Sequence, residues 1–241
     1  MTRHPPLPAC CPDLTLHWPL PETLSGVVLI SGSFDPQQLA PSDWSLCNIE
    51  PPASIQRSVA KRQAEFLAGR LCARQALQQL DRRLYVPAIG EDRAPVWPAD
   101  VCGSITHSTG WAAAIVAPRT HWRGLGLDAE SLLSHERASR LAGEILTADE
   151  LARLQQLPEE QLALCVTLTF SIKEALFKAL YPLVGKRFYF EDAQVLDWSI
   201  DGRVRLGLLC DLSEQWQHGA VLQGQFCLHD DHLLSLVAVA A

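Results

Sequence analysis

Two hydrophobic periods alternate along this chain. Over residues 55–80, Phe66, Leu67, Leu71, Leu77 and Leu80 recur at three- and four-residue spacing, which predicts a helix with one apolar stripe. A second long helix is expected over residues 162–180, closed by Pro182. Shorter helices are expected over 134–144 and 147–156, the latter opened by a capping box of Thr147 and Glu150. Strand patterns fall at 26–31, 101–106, 111–117 and 122–130. The middle two are joined by a turn at His107-Ser108-Thr109-Gly110. Further strands are expected at 188–190, 194–200, 204–209, 221–228 and 233–239. Residues 1–23, with six prolines, read as irregular, and 87–98 reads as a Pro-punctuated loop.

Helices and strands alternate early and strands dominate late, which predicts an α+β fold. A strand, helix and hairpin sequence recurs roughly in each half. The break at 118–121 divides the chain into an N-terminal lobe, 1–118, and a C-terminal lobe, 119–241. At 241 residues and 48% hydrophobic, the chain can bury a sizeable core and is not disordered. No apolar run reaches the ~18 residues needed to cross a bilayer, and no signal-peptide pattern opens the chain. The protein is expected in the cytoplasm, with no membrane partner. Its eight cysteines show no CxxC or zinc spacing, so they read as reduced core thiols.

A net charge of −7 argues against nucleic acid as a partner. The distribution changes the picture. Residues 57–83 hold Arg57, Lys61, Arg62, Arg70, Arg74, Arg82 and Arg83 against Glu65 and Asp81 only. Such a basic segment in an acidic protein is either a solvated helix face or a seat for a compact anion.

Four segments could carry chemistry. In the strand Gly124-Leu125-Gly126-Leu127-Asp128-Ala129-Glu130, alternation puts Asp128 and Glu130 on one face, with Cα atoms roughly 6.6 Å apart at ~3.3 Å per residue. That is either an exposed acidic strand end or a pair able to hold a hard cation such as magnesium. Gly126, on the same face, would leave room for a ligand. On the second long helix, Glu174 and Lys178 stand at i,i+4. They are either a surface ion pair or a third carboxylate with a phosphate-neutralising cation. The segment Gly103–Ser108 brings His107 and Ser108 to a turn, where both could meet phosphate oxygens; the plain alternative is a polar hairpin. Arg70 follows Phe66 by four and Leu67 by three, at the edge of the apolar stripe, so its head group is held in place or snorkels at a core margin. Gly69 in mid-helix, costly relative to Ala, points to close packing.

Taken in order, Ala68-Gly69-Arg70, Asp92-Arg93-Ala94-Pro95, Gly103–Ser108, Gly126-x-Asp128-x-Glu130 and Lys173-Glu174-Ala175 resemble the 4′-phosphopantetheinyl transferases of the surfactin-synthetase-activating type. Phe170, where many relatives carry Trp, is similar to the enterobactin synthase component D subgroup. The resemblance covers about half the chain. It implies two similar lobes related by a pseudo-twofold axis, with coenzyme A in the cleft between them. It implies magnesium held by Asp128, Glu130 and Glu174, and a nucleotide and its phosphates contacted by Arg62, Arg70, Arg93, His107, Ser108 and Lys178. The reaction it implies moves 4′-phosphopantetheine from coenzyme A to a serine of an apo acyl or peptidyl carrier protein, with Glu174, directly or through a metal-bound water, as base and 3′,5′-ADP released. A monomer is expected, since two related lobes make the chain its own pseudo-dimer. The competing readings are a coenzyme A-binding module without catalysis and a two-metal phosphodiesterase. The first has no need of a base, and the second lacks the extra His and Asp ligands it would need.

Overall fold

The computed structural model describes residues 6–241, so the expectation of irregular chain over residues 1–5 lies outside the described residues. The chain divides into two compact units, one of residues up to Trp18 with Ser25–His121, the other of Pro19–Leu24 with Trp122–Ala241.

The first unit holds strands β1 (Thr15–Leu16), β2 (Val28–Ser33), β3 (Ala88–Ile89), β4 (Pro95–Val96), β5 (Val101–Ser108) and β6 (Trp111–Pro118). Its helices are α1 (Asp43–Cys47), α2 (Ala53–Gln56) and α3 (Ala60–Asp81). The main sheet is antiparallel in the order β1-β2-β6-β5, and β3 and β4 form a small hairpin inside the expected loop. The helix expected from 55 is broken at 57–59. Val59 is extended there, and the Gln63 side chain bridges the break by donating to the carbonyls of Gln56 and Ser58.

Helix α3 packs on β6 and β2 and is buried well beyond a stripe, from Ala64 through Arg74. Its sheet-side apolar residues meet Ile30, Ala114 and Val116, and the same cluster takes in Cys10, Cys11, Cys47, Ile49 and Ile55. Burying a Leu completely is worth about 1.5–3 kcal/mol, so Leu67, Leu71 and Leu77 anchor this unit. Gly69 is required: a Cβ there would stand 2.8 Å from the Ile105 side chain on β5.

The β5–β6 ladder runs down to the Ser108–Trp111 pair, leaving only Thr109 and Gly110 in the turn. Gly110, at φ +69°, supplies the left-handed backbone. His107 and Ser108 are therefore strand residues, opposite Ala112 and Trp111, rather than turn residues as the sequence led us to expect.

The second unit holds β7 (Trp122–Ser131), β8 (Ala193–Trp198), β9 (Arg203–Leu208), β10 (Val221–His229) and β11 (His232–Ala240). They form one antiparallel sheet in the order β7-β11-β10-β9-β8. Its helices are α4 (His135–Ile145), α5 (Ala148–Leu154) and α6 (Leu162–Val184). Leu168, Ile172, Leu176 and Leu180 of α6 pack on Val204, Leu206, Phe226, Leu233 and Val237 of the sheet. The segment Pro19–Leu24 joins this unit through Glu22, whose backbone exchanges two hydrogen bonds with the Gln225 side chain.

Two expectations are corrected here. Pro182 lies inside α6, which ends at Gly185 with φ +64° and its N–H donated to Tyr181 O. A proline near the last turn costs one backbone bond, whereas glycine supplies the left-handed cap that stops the helix. The expected strand at 188–190 is a 3-10 turn over Phe190–Asp192, because the Asp192 carboxylate takes the Tyr189 N–H that a ladder would need.

The closest approach in this unit is between β7 and α6. A Cβ on Gly126 would sit 1.8 Å from Ala175 O, and one on Gly124 2.4 Å from Ala179 O. Backbone packs on backbone here, and Gly126 leaves room for the helix rather than for a ligand. All eight cysteines are free thiols. No helix among the described residues is long and apolar enough to cross a membrane.

Candidate active site

The β7–α6 contact brings the acidic motif and the helix motif together. Even residues of β7 face α6, so Asp128 and Glu130 lie on the side of Glu174 and Lys178, while Leu125, Leu127 and Ala129 turn the other way and are fully buried. The Lys178 ammonium donates to Asp128 Oδ1 at 2.6 Å and to Leu127 O at 3.1 Å. The Glu174–Lys178 spacing is thus no surface ion pair; the lysine reaches across to the strand.

Burial raises the Glu130 carboxyl to about 7, helped by the charges of Asp128 and Glu174 and opposed by Lys178 and Arg137. Burial also raises Glu174, with Lys178 opposing and the Asp128 charge adding to the rise. The three carboxylates therefore lie within each other's field, with more negative charge than one ammonium offsets.

That donor set has the chemistry a hard divalent cation requires, namely oxygen ligands with excess negative charge. It is not a finished cage. No three His, Cys, Asp or Glu side chains among the described residues converge in ligating geometry, and the cation seated on Asp128 is Lys178.

The first unit carries a second group. Arg70 is buried at 6% exposure, with its guanidinium 4.6 Å from the centroid of the Phe66 ring and its Nε buried without a hydrogen-bond partner. Burial, followed by the charge of Arg62, lowers its pKa to about 10. Such a cation lacks only an anion. Arg62 lies near the start of the same helix, its guanidinium 2.7 Å from His107 Nε2 and 3.2 Å from Glu65 Oε2. A guanidinium can only donate, so His107 Nε2 accepts and the ring proton sits on Nδ1, which faces Glu65 Oε2 at 3.7 Å. Ser108 follows on the same strand, half-buried.

Arg93 is exposed at the tip of the β3–β4 hairpin, with φ +74°. The tip is built by Asp92, which accepts from Ala94 N, and by paired backbone bonds between Gly90 and residues 93 and 94. Of the residues singled out in the sequence, Asp128, Glu130, Glu174 and Lys178 gather in the second unit. Arg62, Arg70, His107 and Ser108 lie in the first, on α3 and on the β5 strand that packs beside it.

Sequence reasoning missed Glu65, Glu150 and the setting of Lys173. Glu65 had a signal in its i,i+3 spacing from Arg62. Glu150 was read only as a helix cap, and that role is real: it accepts from Thr147 N, while Thr147 Oγ1 accepts from Glu150 N. The same carboxylate is also the partner of buried Lys173, at 2.7 Å.

Comparisons with known proteins agree across both units. Residues 50–117 match the model of the 4'-phosphopantetheinyl transferase N-terminal domain, and 124–237 match that of the 4'-phosphopantetheinyl transferase superfamily. Enterobactin synthase component D of Escherichia coli (strain K12) is 37% identical over 185 residues, covering 77% of this chain and 84% of that protein. The 4'-phosphopantetheinyl transferase Npt of Nocardia iowensis is 35% identical over 154 residues, 64% of this chain and 67% of its own. Among solved structures, a holo-(acyl-carrier-protein) synthase from Bacillus anthracis in complex with CoA (3',5'-ADP) aligns with half of this chain at 17% identity and a TM-score of 0.33.

Proposed function

The chain belongs to the 4′-phosphopantetheinyl transferase superfamily, in its enterobactin synthase component D type, and from that premise we propose how its residues divide the work. The protein transfers 4′-phosphopantetheine from coenzyme A to a serine of an apo acyl or peptidyl carrier protein and releases 3′,5′-ADP. Asp128, Glu130 and Glu174 would hold magnesium, which when bound supplies charge neutralisation on the pyrophosphate. The observation that carries this assignment is the crowding of three carboxylates on the β7–α6 contact, with Glu130 and Glu174 raised by burial and by neighbouring carboxylate charge.

Glu174 is the base. It takes the hydroxyl proton of the carrier serine as that oxygen bonds to the phosphorus next to pantetheine. The bridging P–O bond breaks, and the electron pair leaves on the 5′-phosphate of 3′,5′-ADP. A general base of this kind contributes about 10²–10⁴-fold. Lys178 offers its ammonium to the phosphate oxygens as charge shifts toward the leaving group.

Arg70, Arg62, His107 and Ser108 bind the phosphates of coenzyme A. Arg70 is the strongest of these, since its buried guanidinium has an open N–H and stays cationic at neutral pH. His107, neutral with its proton on Nδ1, holds Arg62 in place. Arg93 contributes from the exposed hairpin. The protein acts as a monomer in the cytoplasm, where coenzyme A is available and eight free thiols persist.

The test is direct. Coenzyme A, magnesium and an apo carrier are incubated with the protein and the carrier is weighed. One phosphopantetheine is added per carrier, and chelation of the metal stops the addition. Binding of coenzyme A with no mass gain on several carriers would leave only a binding module, and full activity after chelation would remove the metal assignment.

A further inference from the structure

Lys173 is the first residue of the Lys173-Glu174-Ala175 motif, yet its setting is unlike that of Lys178. It is 3% exposed. Its ammonium donates to Glu150 Oε2 at 2.7 Å, to Phe190 O at 2.9 Å and to Ile145 O at 3.0 Å. A lysine ammonium has three N–H donors, and all three are used. Nothing is left to offer a substrate.

The partners lie on three different elements. Ile145 ends α4, Phe190 opens the 3-10 turn, and Glu150 lies in the first turn of α5. Glu150 in turn accepts from Thr147 N and, through Oε1, from Val195 N on the edge strand β8. The carboxylate and the ammonium thus bind four segments to one face of α6.

The opposite flank of α6 is fixed by a different contact. Ala175 and Ala179 receive the backbone of β7 at Gly126 and Gly124. At 100° per residue, Ala175 and Ala179 lie about 200–240° around the helix from Lys173. Glu174 and Lys178 lie about 100–140° around, between the two fixed flanks. A helix held on both sides cannot roll, and a roll is the motion that would carry Glu174 and Lys178 away from Asp128.

We propose that Lys173 and Glu150 form a positioning pair that sets the roll of α6, so that the motif's lysine acts through Glu174 and Lys178 and never touches coenzyme A. The inference rests on the roles given above to Glu174 and Lys178. Reacting groups must be held within about 0.5 Å, and an error near 1 Å can cost about 100-fold.

The native protein supplies the first test. Reductive methylation with formaldehyde and borohydride, read by mass spectrometry, should modify Lys61, Lys178 and Lys186 while Lys173 stays unmodified until the protein is unfolded. Modification of Lys173 at a rate within tenfold of Lys178 would overturn the proposal, because a lysine that meets substrate must be reachable.

The second test uses Lys173→Met alone and together with Glu150→Gln. The single variant leaves a carboxylate buried without its cation. It should lose about 100-fold in kcat and shift half-saturation by magnesium upward about tenfold. Mere loss of folded protein lowers the amplitude of that titration without moving its midpoint. The neutral pair removes the stranded charge but not the need for the pair, so it should fold more stably than Lys173→Met yet keep kcat at least about tenfold below wild type and the magnesium midpoint raised. A folded double variant with wild-type kcat and midpoint would show that the pair does not set the roll. A wild-type protein with no metal requirement would instead sink the magnesium assignment. If the wild type is metal-dependent but the midpoint does not move in Lys173→Met, the roll proposal is wrong. Should neither variant fold, the methylation result decides.

Discussion

Helices α3 and α6 do the same structural task in their two units. Each is over 20 residues long and lies against an antiparallel sheet, and each carries buried charge. They treat that charge in opposite ways. Buried Lys173 on α6 has every proton donated and a carboxylate against it. Buried Arg70 on α3 has an open Nε, an aromatic face for company and a second arginine raising the local positive potential. A buried charge whose partners are complete is part of the fold. One left short is kept for a ligand, since an unmet buried donor costs about 1–3 kcal/mol and more when charged. By the same reasoning, the carboxylates crowded where β7 meets α6 want a cation, and the arginines of α3 want an anion.

The sharpest way to break this comparison is to disturb the contact that aligns α6. Gly126→Val places a side chain where Ala175 O already lies. Overpacking usually costs about 1–3 kcal/mol when side chains can give way, and here the obstacle is backbone. The variant should fail to accumulate as folded protein, or melt more than about 10 °C below wild type by calorimetry. Gly143→Val, at an exposed position of α4 with nothing near its Cβ position, should be neutral or slightly stabilising, since glycine is the poorer helix former, and serves as control.

Next in size is the chemistry on the ordered helix. Glu174→Gln keeps shape and removes the base. Transfer should fall about 10³-fold by carrier mass spectrometry, while calorimetric binding of coenzyme A stays within about threefold, because the α3 cations are untouched. If transfer persists, Glu174 is not the base. Arg70→Met tests the other helix. It should raise KM for coenzyme A by about 10–100-fold, the worth of a charge-assisted hydrogen bond, and change kcat little. A change in kcat alone would place Arg70 among the residues that act on the transition state.

How much of this was legible in the sequence follows from how local each signal is. The α+β class, both long helices, the hairpin and the Thr147/Glu150 cap rest on short-range periodicity and spacing, and they appear with only their ends moved: the first long helix starts at Ala60, and the hairpin turn shrinks to Thr109 and Gly110. Gly69 announced close packing because glycine in mid-helix is costly without a reason. Gly126 carried the same kind of signal and was misread, since sequence does not tell whether the space beside a glycine holds a ligand or a helix backbone. Pro182 was over-weighted as a terminator because Gly185, three residues later, competes for that role. The Lys173–Glu150 pair spans 23 positions and two helices, and no local pattern links them. The acidic motif and Lys178 were read separately for the same reason: their meeting depends on how β7 lies on α6.

The smallest predicted effect sharpens the comparison through pH. The Glu130 carboxyl is raised to about 7 by burial and by its neighbours' charge, from an ordinary value of 4.5. The folded protein therefore binds this proton more tightly than the unfolded chain does. Stability is greatest below pH 4.5 as far as this group is concerned. It is lost as pH rises from 4.5 toward 7, and levels off above that. In metal-free buffer the melting temperature should fall by a few degrees across this window, against the usual acid-side trend of paired carboxylates. Glu130→Gln cannot ionise and should flatten the slope. The substitution leaves Arg70 and its surroundings unchanged, so the effect should appear with coenzyme A affinity intact. If the slope survives in Glu130→Gln, the crowding of carboxylate charge at the β7–α6 contact is not what drives it, and the contrast between the two helices loses its acidic half.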